Sequence, residues 1–370
     1  MMLEYLFITF IVIICIQFIY YIFIFGAFAF NKYKLPKNNF NQPVSVLICA
    51  KNEAKNLLEK LPFFLKQNYT NFELILINDC SNDNTLEVME QFKKDSNISI
   101  KIVNVTANEQ FWGSKKYALT LGIKVASNEH LLFTDADCEP ISNTWISEMV
   151  NNFSRQHQII LGYGAYKKIE KSFLNKLIRY ETILTAIQYF SYSKIGIPYM
   201  GVGRNLAYTK SLFYSVNGFA NHIKIKSGDD DLFINQVATK NNTINCYSPN
   251  SFTESSPKIT FKEWIQQKRR HVSTASYYKP LHKFLLGAFY SSQLLFWVLG
   301  VILISSIYKW ELVVILIFIR FLIQYLVIGY SAKKLNETDL IILTPFLELF
   351  LISTQMFIFI KNLISKPTHW

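Results

Sequence analysis

Long apolar runs at both ends of this 370-residue chain set the first limit on its fold. Leu3 to Phe30 is apolar almost throughout, with Glu4 at its start and Gln17 inside it. The run exceeds the roughly 20 residues that cross a bilayer core, and no small-residue cleavage site follows, so it reads as a signal anchor. Lys32, Lys34 and Lys37 come next, which by the positive-inside rule puts the following segment in the cytosol. Phe284 to Ile307, Leu312 to Tyr330 and Leu340 to Ile360 are three further candidate spans. Arg320, within the second of them, is expected to face a partner helix rather than lipid. Glu348 and Pro345 in the last leave a re-entrant or interfacial element open beside a true span. The expectation is a multi-pass protein of the inner (cytoplasmic) membrane with four spans, three as the fallback. Residues 1–31 form its N-terminal membrane helix, 40–278 a cytosolic domain, and 281–361 a C-terminal membrane region of two to three helices.

Between these runs, short β-rich stretches alternate with helical patterns. Pro43 to Ala50, Phe72 to Asn78, Ile100 to Val105 and His130 to Thr134 read as buried strands. Glu53 to Gln67, Thr85 to Lys94 and Lys115 to Ala126 read as the helices between them. Such alternation predicts an α/β domain with a mostly parallel sheet covered on both faces. Ligands of these sheets bind beyond the carboxyl ends of the strands, where Ala50 to Glu53, Asp79 and Asp135 fall. Ser172 to Ile195 is helical and apolar but interrupted by Lys176, Arg179, Glu181 and Gln188. Both an amphipathic helix on the membrane surface and a buried core helix fit that pattern.

The formal charge of +12 raises the question of nucleic acid. The basic residues are dispersed, some beside the apolar spans, with no basic stripe, and this suits an anionic cytoplasmic leaflet instead. The five cysteines share no metal-ligand spacing, so they read as small buried residues in a reducing compartment, without a zinc site.

Four charged signatures follow one another in order: INDCSNDNT around Asp79, LLFTDADCEP with Asp135 and Asp137, KSGDDDLF with Asp229, Asp230 and Asp231, and QKRRH with Gln267 and Arg270. Asp135-Ala136-Asp137 can bind a hard divalent cation together with diphosphate oxygens, or can simply be a turn with capping aspartates. The three adjacent carboxylates at 229–231 repel one another, so one should hold a raised pKa and serve as a general base. The same residues also suit a helix N-terminus. Lys115 and Lys116 can meet phosphates or be surface lysines. Arg270 can clamp a diphosphate, while Lys268 and Arg269 read as basic residues at the membrane surface. GVGRNLAY has the glycines of a close-approach loop but lacks the spacing of a dinucleotide fingerprint.

Taken together, these residues resemble a membrane-bound family 2 glycosyltransferase of the GT-A fold, over roughly Pro43 to His271. PVSVLICAKNE resembles the opening strand of that family, with Ala50 and Glu53 at the nucleotide pocket. INDCSNDNT resembles its D-x-S-x-D-x-T element, which implies that Asp79 contacts the base or ribose with Asp83 in support. GSKKYAL is similar to its G-K-x-x-A-L segment and implicates Lys115 in donor binding. Asp135 and Asp137 match its metal and donor motif, with Asp137 as the direct ligand of Mg²⁺ or Mn²⁺. GVGRNLAY resembles the loop ahead of the acceptor site, which implicates Arg204 and Asn205. GDDDLF matches its acidic base motif, with Asp230 as the base and Asp229 and Asp231 one residue away in register. Gln267 and Arg270 match its Q-x-x-R-W, except that His271 stands where the family has tryptophan.

The implied activity is inverting, metal-dependent transfer from a nucleotide sugar, most commonly a UDP-sugar in this family, to an acceptor hydroxyl at the cytoplasmic membrane face. Few spans supply little wall for a product channel, so a lipid or lipid-linked acceptor is expected, with a processive polysaccharide synthase as the alternative. A non-catalytic membrane scaffold with a degenerate domain is the reading from another class, and the intact acidic clusters oppose it.

Overall fold

The computed structural model describes residues 1–33, 40–106 and 115–365. Lys34, Lys37, Gly113 and Ser114 lie outside the described residues. The chain divides into two compact units. One holds residues 33–168 and 196–257; the other gathers 1–32, 169–195 and the stretch from Lys258 onward.

The first unit is built on strands β1 (Val44–Ala50), β2 (Phe72–Asp79), β3 (Ser99–Val105), β4 (His130–Asp135), β5 (Cys138–Pro140), β6 (Ile159–Leu161), β7 (Gly164–Tyr166), β8 (Leu206–Thr209), β9 (Thr243–Asn245) and β10 (Thr253–Ser255). Seven form one sheet in the order β3-β2-β1-β4-β8-β6-β9, and β5-β10-β7 form a smaller one. β3, β2, β1 and β4 run parallel, while β8 is antiparallel to both its neighbours. The central strands are rich in Val, Ile and Leu and buried along nearly their whole length, as parallel strands covered on both faces must be. Helices Ala54–Leu65, Thr85–Asp95 and Lys115–Val125 make the first crossovers, at or within two residues of their expected bounds. Gly122 permits the last of them to lie close on the sheet, since a Cβ there would come 2.2 Å from Ile77 Cδ1.

Register decides what the sheet presents at its upper edge. Ala50 pairs with Asn78 across β1 and β2, and Cys49 pairs with Asp135 across β1 and β4. Asp79 and Asp135 therefore end strands on either side of β1, about 10 Å apart at the usual strand spacing of about 4.8 Å.

The helical unit carries four helices long and apolar enough to cross a membrane: Met2–Ala29, Pro280–Ser305, Trp310–Lys334 and Thr344–Ile364. Pro345 sits in the first turn of the last helix, where it has no intrahelical hydrogen bond to lose, so it starts the helix rather than breaking it. Arg320 is wholly buried and faces helix, as expected. Its guanidinium donates to Gln17 Oε1 at 2.6 Å, to Gln324 Oε1 at 2.5 Å and to both oxygens of Glu348 at 2.5 and 3.0 Å. Gln324 in turn donates to the Tyr21 hydroxyl at 3.1 Å. The polar residues that looked foreign to apolar spans are thus one another's partners, joining the first, third and fourth of these helices.

Ser172 to Ile195 forms a helix, Phe173–Lys194, most of whose residues are buried within this unit. Phe190 stacks on Phe28 at 5.1 Å, and Phe173 packs edge-on against Phe350 at 5.0 Å. Arg179, nearly inaccessible, pairs with Glu337 and Asp339 in the turn before the last helix.

Candidate active site

All three acidic signatures of the sheet unit come together at the carboxyl ends of its parallel strands. Asp79 is the last residue of β2 and is buried; burial pushes its carboxyl up, and the charges of Lys51 and Lys115 pull it back. The loops after β1 and β2 are tied to each other. Asn52 N–H donates to Ser81 Oγ at 2.9 Å, Asn82 N–H to Asn52 Oδ1 at 2.8 Å, and Glu53 N–H to Thr85 Oγ1 at 2.9 Å. Asp83 accepts from the Thr85 hydroxyl at 2.5 Å, from Ala54 N–H at 3.2 Å and from Thr85 N–H at 3.1 Å, so this exposed carboxylate shapes the rim of the site through hydrogen bonds that hold its pKa down. Ala50 is buried at the end of β1, and Glu53 accepts from Asn56 Nδ2 at 2.5 Å.

A single lysine connects the second and third signatures. Lys115 opens the Lys115–Val125 helix, and its Nζ lies 2.8 Å from Asp135 Oδ1 and 3.1 Å from Asp229 Oδ2. These carboxylates draw enough charge to raise its pKa despite burial. Asp135, Asp229, Asp230 and Lys115 line one cavity with Cys49, Thr134, Gly203 and Tyr208. Lys116 does not join them: it is fully buried on another face of the helix, as the 100° advance between consecutive helical residues requires.

Asp230 caps helix Asp231–Val237, accepting from Asp231 N–H at 2.7 Å, and its second oxygen accepts from Gly203 N–H at 2.7 Å. The capping reading of the triplet therefore holds. Burial first, then the charges of Asp229 and Asp231, raise the Asp230 carboxyl to about 7, with Lys115 and Gly203 N–H opposing. Asp231 is buried and accepts from Leu232 N–H at 2.7 Å.

Asp135, Asp137 and Cys138 offer ligand atoms that all lie within 4.8 Å of one another. Burial and the two carboxylates push the Cys138 thiol well up, so it stays protonated and the oxygens are the available ligands. A hard divalent cation suits such a set better than zinc does. Arg204 sits behind this pair, stacked 4.2 Å from the Tyr166 ring centre and donating to Ala165 O at 2.8 Å and Ser255 Oγ at 3.0 Å. Asn205 is fully buried, and its amide is spent inside the protein on Trp145 Nε1, Tyr163 O and Ser251 O. It shapes the loop rather than presenting itself to an acceptor.

Gln267, Arg270 and His271 belong to the helical unit, on helix Phe261–Thr274. Lys268 and Arg269 are not loose surface charges. Lys268 pairs with Glu181 at 2.5 Å, and Arg269 donates to Asn362 Oδ1 at 2.8 Å and Ser365 Oγ at 2.9 Å. The half-buried Arg270 guanidinium has no side-chain partner among the described residues, and burial lowers its pKa. Cys49, Thr134 and Tyr208 carry no charged signature as lining residues; Cys49 and Thr134 are signalled only by standing next to last in β1 and β4, and Tyr208, within β8, by nothing local.

The glycosyl transferase family 2 model matches residues 45–215, and the model for glycosyl transferase family group 2 matches residues 131–330, more than half of the chain. The chain belongs to the family 2 glycosyltransferases. Poly-β-1,6-N-acetyl-D-glucosamine synthase of Staphylococcus epidermidis is 38% identical over 121 residues, 32% of this chain and 28% of that one. The 4,4'-diaponeurosporenoate glycosyltransferase of Staphylococcus haemolyticus is 28% identical over 185 residues, 49% of this chain and 48% of that one. The matched regions thus span less than half of these relatives. Mannosyltransferase PcManGT from Pyrobaculum calidifontis, solved with GDP-Man and Mn²⁺, superposes with a TM-score of 0.59 at 18% identity, covering 94% of this glycosyltransferase and 99% of that chain. The fold is GT-A.

Proposed function

We propose that this glycosyltransferase carries out an inverting transfer from a nucleotide sugar to a hydroxyl of a lipid or lipid-linked acceptor at the cytoplasmic face of the membrane. The observation that carries the reading is the meeting of Asp230, raised to about 7, with Asp229, Lys115 and Asp135 at one cavity. A general base works best with a pKa near the operating pH, and Asp230 meets that condition while its neighbours in the triplet hold other tasks. Asp229 is paired with Lys115, and Asp231 is buried at the helix start.

In this reading Asp79, with Ala50 and Glu53, receives the nucleoside, while Asp83 keeps the loops that frame it in register. Asp137 and Asp135 would hold Mg²⁺ or Mn²⁺, which when bound neutralises charge on the donor diphosphate. Lys115 and Arg270 would add positive charge for the departing nucleotide. Asp230 accepts the proton of the acceptor hydroxyl, whose oxygen displaces the nucleotide from the opposite face of the anomeric carbon. Arg204 and His271 are assigned to the acceptor side. A UDP-sugar is the proposed donor.

The second reading is processive polysaccharide synthesis, favoured by the 38% identity to a poly-β-1,6-N-acetyl-D-glucosamine synthase. Radiolabelled UDP-N-acetylglucosamine, UDP-glucose and GDP-mannose, each incubated with membranes containing the protein, separate the two. Label in the organic phase as one or a few sugars supports lipid glycosylation, whereas a long water-soluble product refutes it in favour of the polymer. Release of nucleotide from none of the three, with Mg²⁺ or Mn²⁺ present, would count against the proposed donor class.

A further inference from the structure

Two consecutive lysines, Lys115 and Lys116, hold one and the same stretch of chain at two places. Lys115 reaches the carboxylate of Asp229. Lys116, with no exposed surface, donates from Nζ to two backbone carbonyls further upstream, His222 O at 2.8 Å and Ile225 O at 2.9 Å. These carbonyls belong to the last residue of the short helical turn Ala220–His222 and to the irregular segment that runs from it to helix Asp231–Val237. His222 O also accepts from Ile225 N–H at 3.1 Å, so the segment folds back on itself where the ammonium sits. It then passes through Gly228, at a left-handed φ of +91°, directly into Asp229 and Asp230.

We propose that Lys116 is a positioning residue: by gripping the 222–225 backbone it sets where the segment delivers Asp229 to Lys115 and Asp230 to Gly203. This rests on the reading of Asp230 as the base. Lys116 does not line the cavity, so its contribution is mechanical. A buried ammonium is costly unless its hydrogen bonds are met, and the two carbonyls meet two of its three donors. Burial lowers the Lys116 pKa to about 8, while the carboxylates of Asp229, Asp231 and Asp230 oppose that fall. The neutral amine keeps two donors, so the grip survives deprotonation. The imidazole of His222 is also buried, and its pKa is down at about 4, so at neutral pH it adds no second cation beside the ammonium.

The test replaces Lys116 by Met, which keeps most of the stem and removes the donors, in the 370-residue chain in detergent. Hydrogen exchange of peptides covering residues 222–231 should quicken by about ten-fold or more, because the segment loses both hydrogen bonds from the Lys116 ammonium. Turnover of the nucleotide sugar that the wild type consumes fastest among UDP-N-acetylglucosamine, UDP-glucose and GDP-mannose should fall on the order of 100-fold in kcat, as expected for a misplaced catalytic group. Affinity for UDP should change far less than kcat, since Lys116 itself does not line the cavity. Lys116→Arg, which keeps the donors, should recover most of the loss. Unchanged exchange overturns the proposal, and so does faster exchange with wild-type kcat. Should Lys116→Met fail to fold, Lys116→Leu, which also lacks a donor, is read in the same assays with the same overturning outcomes. Asp230→Asn serves as the control: full turnover in that variant refutes the base assignment itself, while the exchange result still reports whether Lys116 holds the segment.

Discussion

Replacing Asp230 by Asn should cost activity and add stability, and the second effect should depend on pH. The folded carboxyl titrates at about 7 against an ordinary value of 3.8. Between these values folding takes up a proton, so the group's contribution is fully present below 3.8 and lost as pH rises through about 7. At about 1.36 kcal/mol per pH unit, the wild type gives up roughly 4 kcal/mol across that window. Asn does not titrate and escapes the loss. Its side chain has one acceptor oxygen where the carboxylate serves both Gly203 N–H and Asp231 N–H, a forfeit of about 1 kcal/mol. Asp230→Asn should therefore be near neutral around pH 5 and more stable than wild type by roughly 3 kcal/mol around pH 8. Over the same range its kcat should fall by about 10²–10⁴-fold. Melting curves in detergent at both pH values, run beside nucleotide release, measure the pair of effects. An equal stability offset at the two pH values refutes the argument from burial, and wild-type turnover refutes the role of Asp230 as base.

Asp137→Ala should abolish Mn²⁺-dependent binding of UDP measured by calorimetry, and heats unchanged from wild type would remove Asp137 from the metal site. Lys115→Met removes a charge that lowers the Asp230 pKa, so the acid limb of the pH–rate profile should move to higher pH; a limb that stays or moves down contradicts the arrangement. Glu348→Leu leaves the Arg320 guanidinium buried without its countercharge and should cost roughly 3–5 kcal/mol, whereas Arg320→Met combined with Glu348→Leu should regain most of it. Equal melting of the single and double variants would show that the pair does not act as a unit.

Much of the sheet unit was legible because its parallel strands are buried on both faces and their apolar runs stand out. β1, β2, β3 and β4 each lie within a residue of expectation at either end. β6, β7, β9 and β10 have three residues each and carry no comparable signal. Asp79 and Asp135 could be assigned to strand ends from local pattern alone. The roles of Lys116 and Asn205 could not, since nothing in a lysine beside a lysine, or an amide after an arginine, tells which one turns inward.

What the order of residues determined by itself was the kind of fold, the four apolar helices and the family, because hydrophobic period and motif spacing are properties of a linear string. Tertiary structure alone decided which charges meet. Arg320 and Glu348, Lys268 and Glu181, and Lys115 and Asp229 are far apart in the chain, and each pair exists only because packing brings the partners within hydrogen-bonding reach. The raised pKa of Asp230 has the same origin: adjacency in sequence supplies the repulsion, but burial, its largest cause, is a property of the folded surroundings.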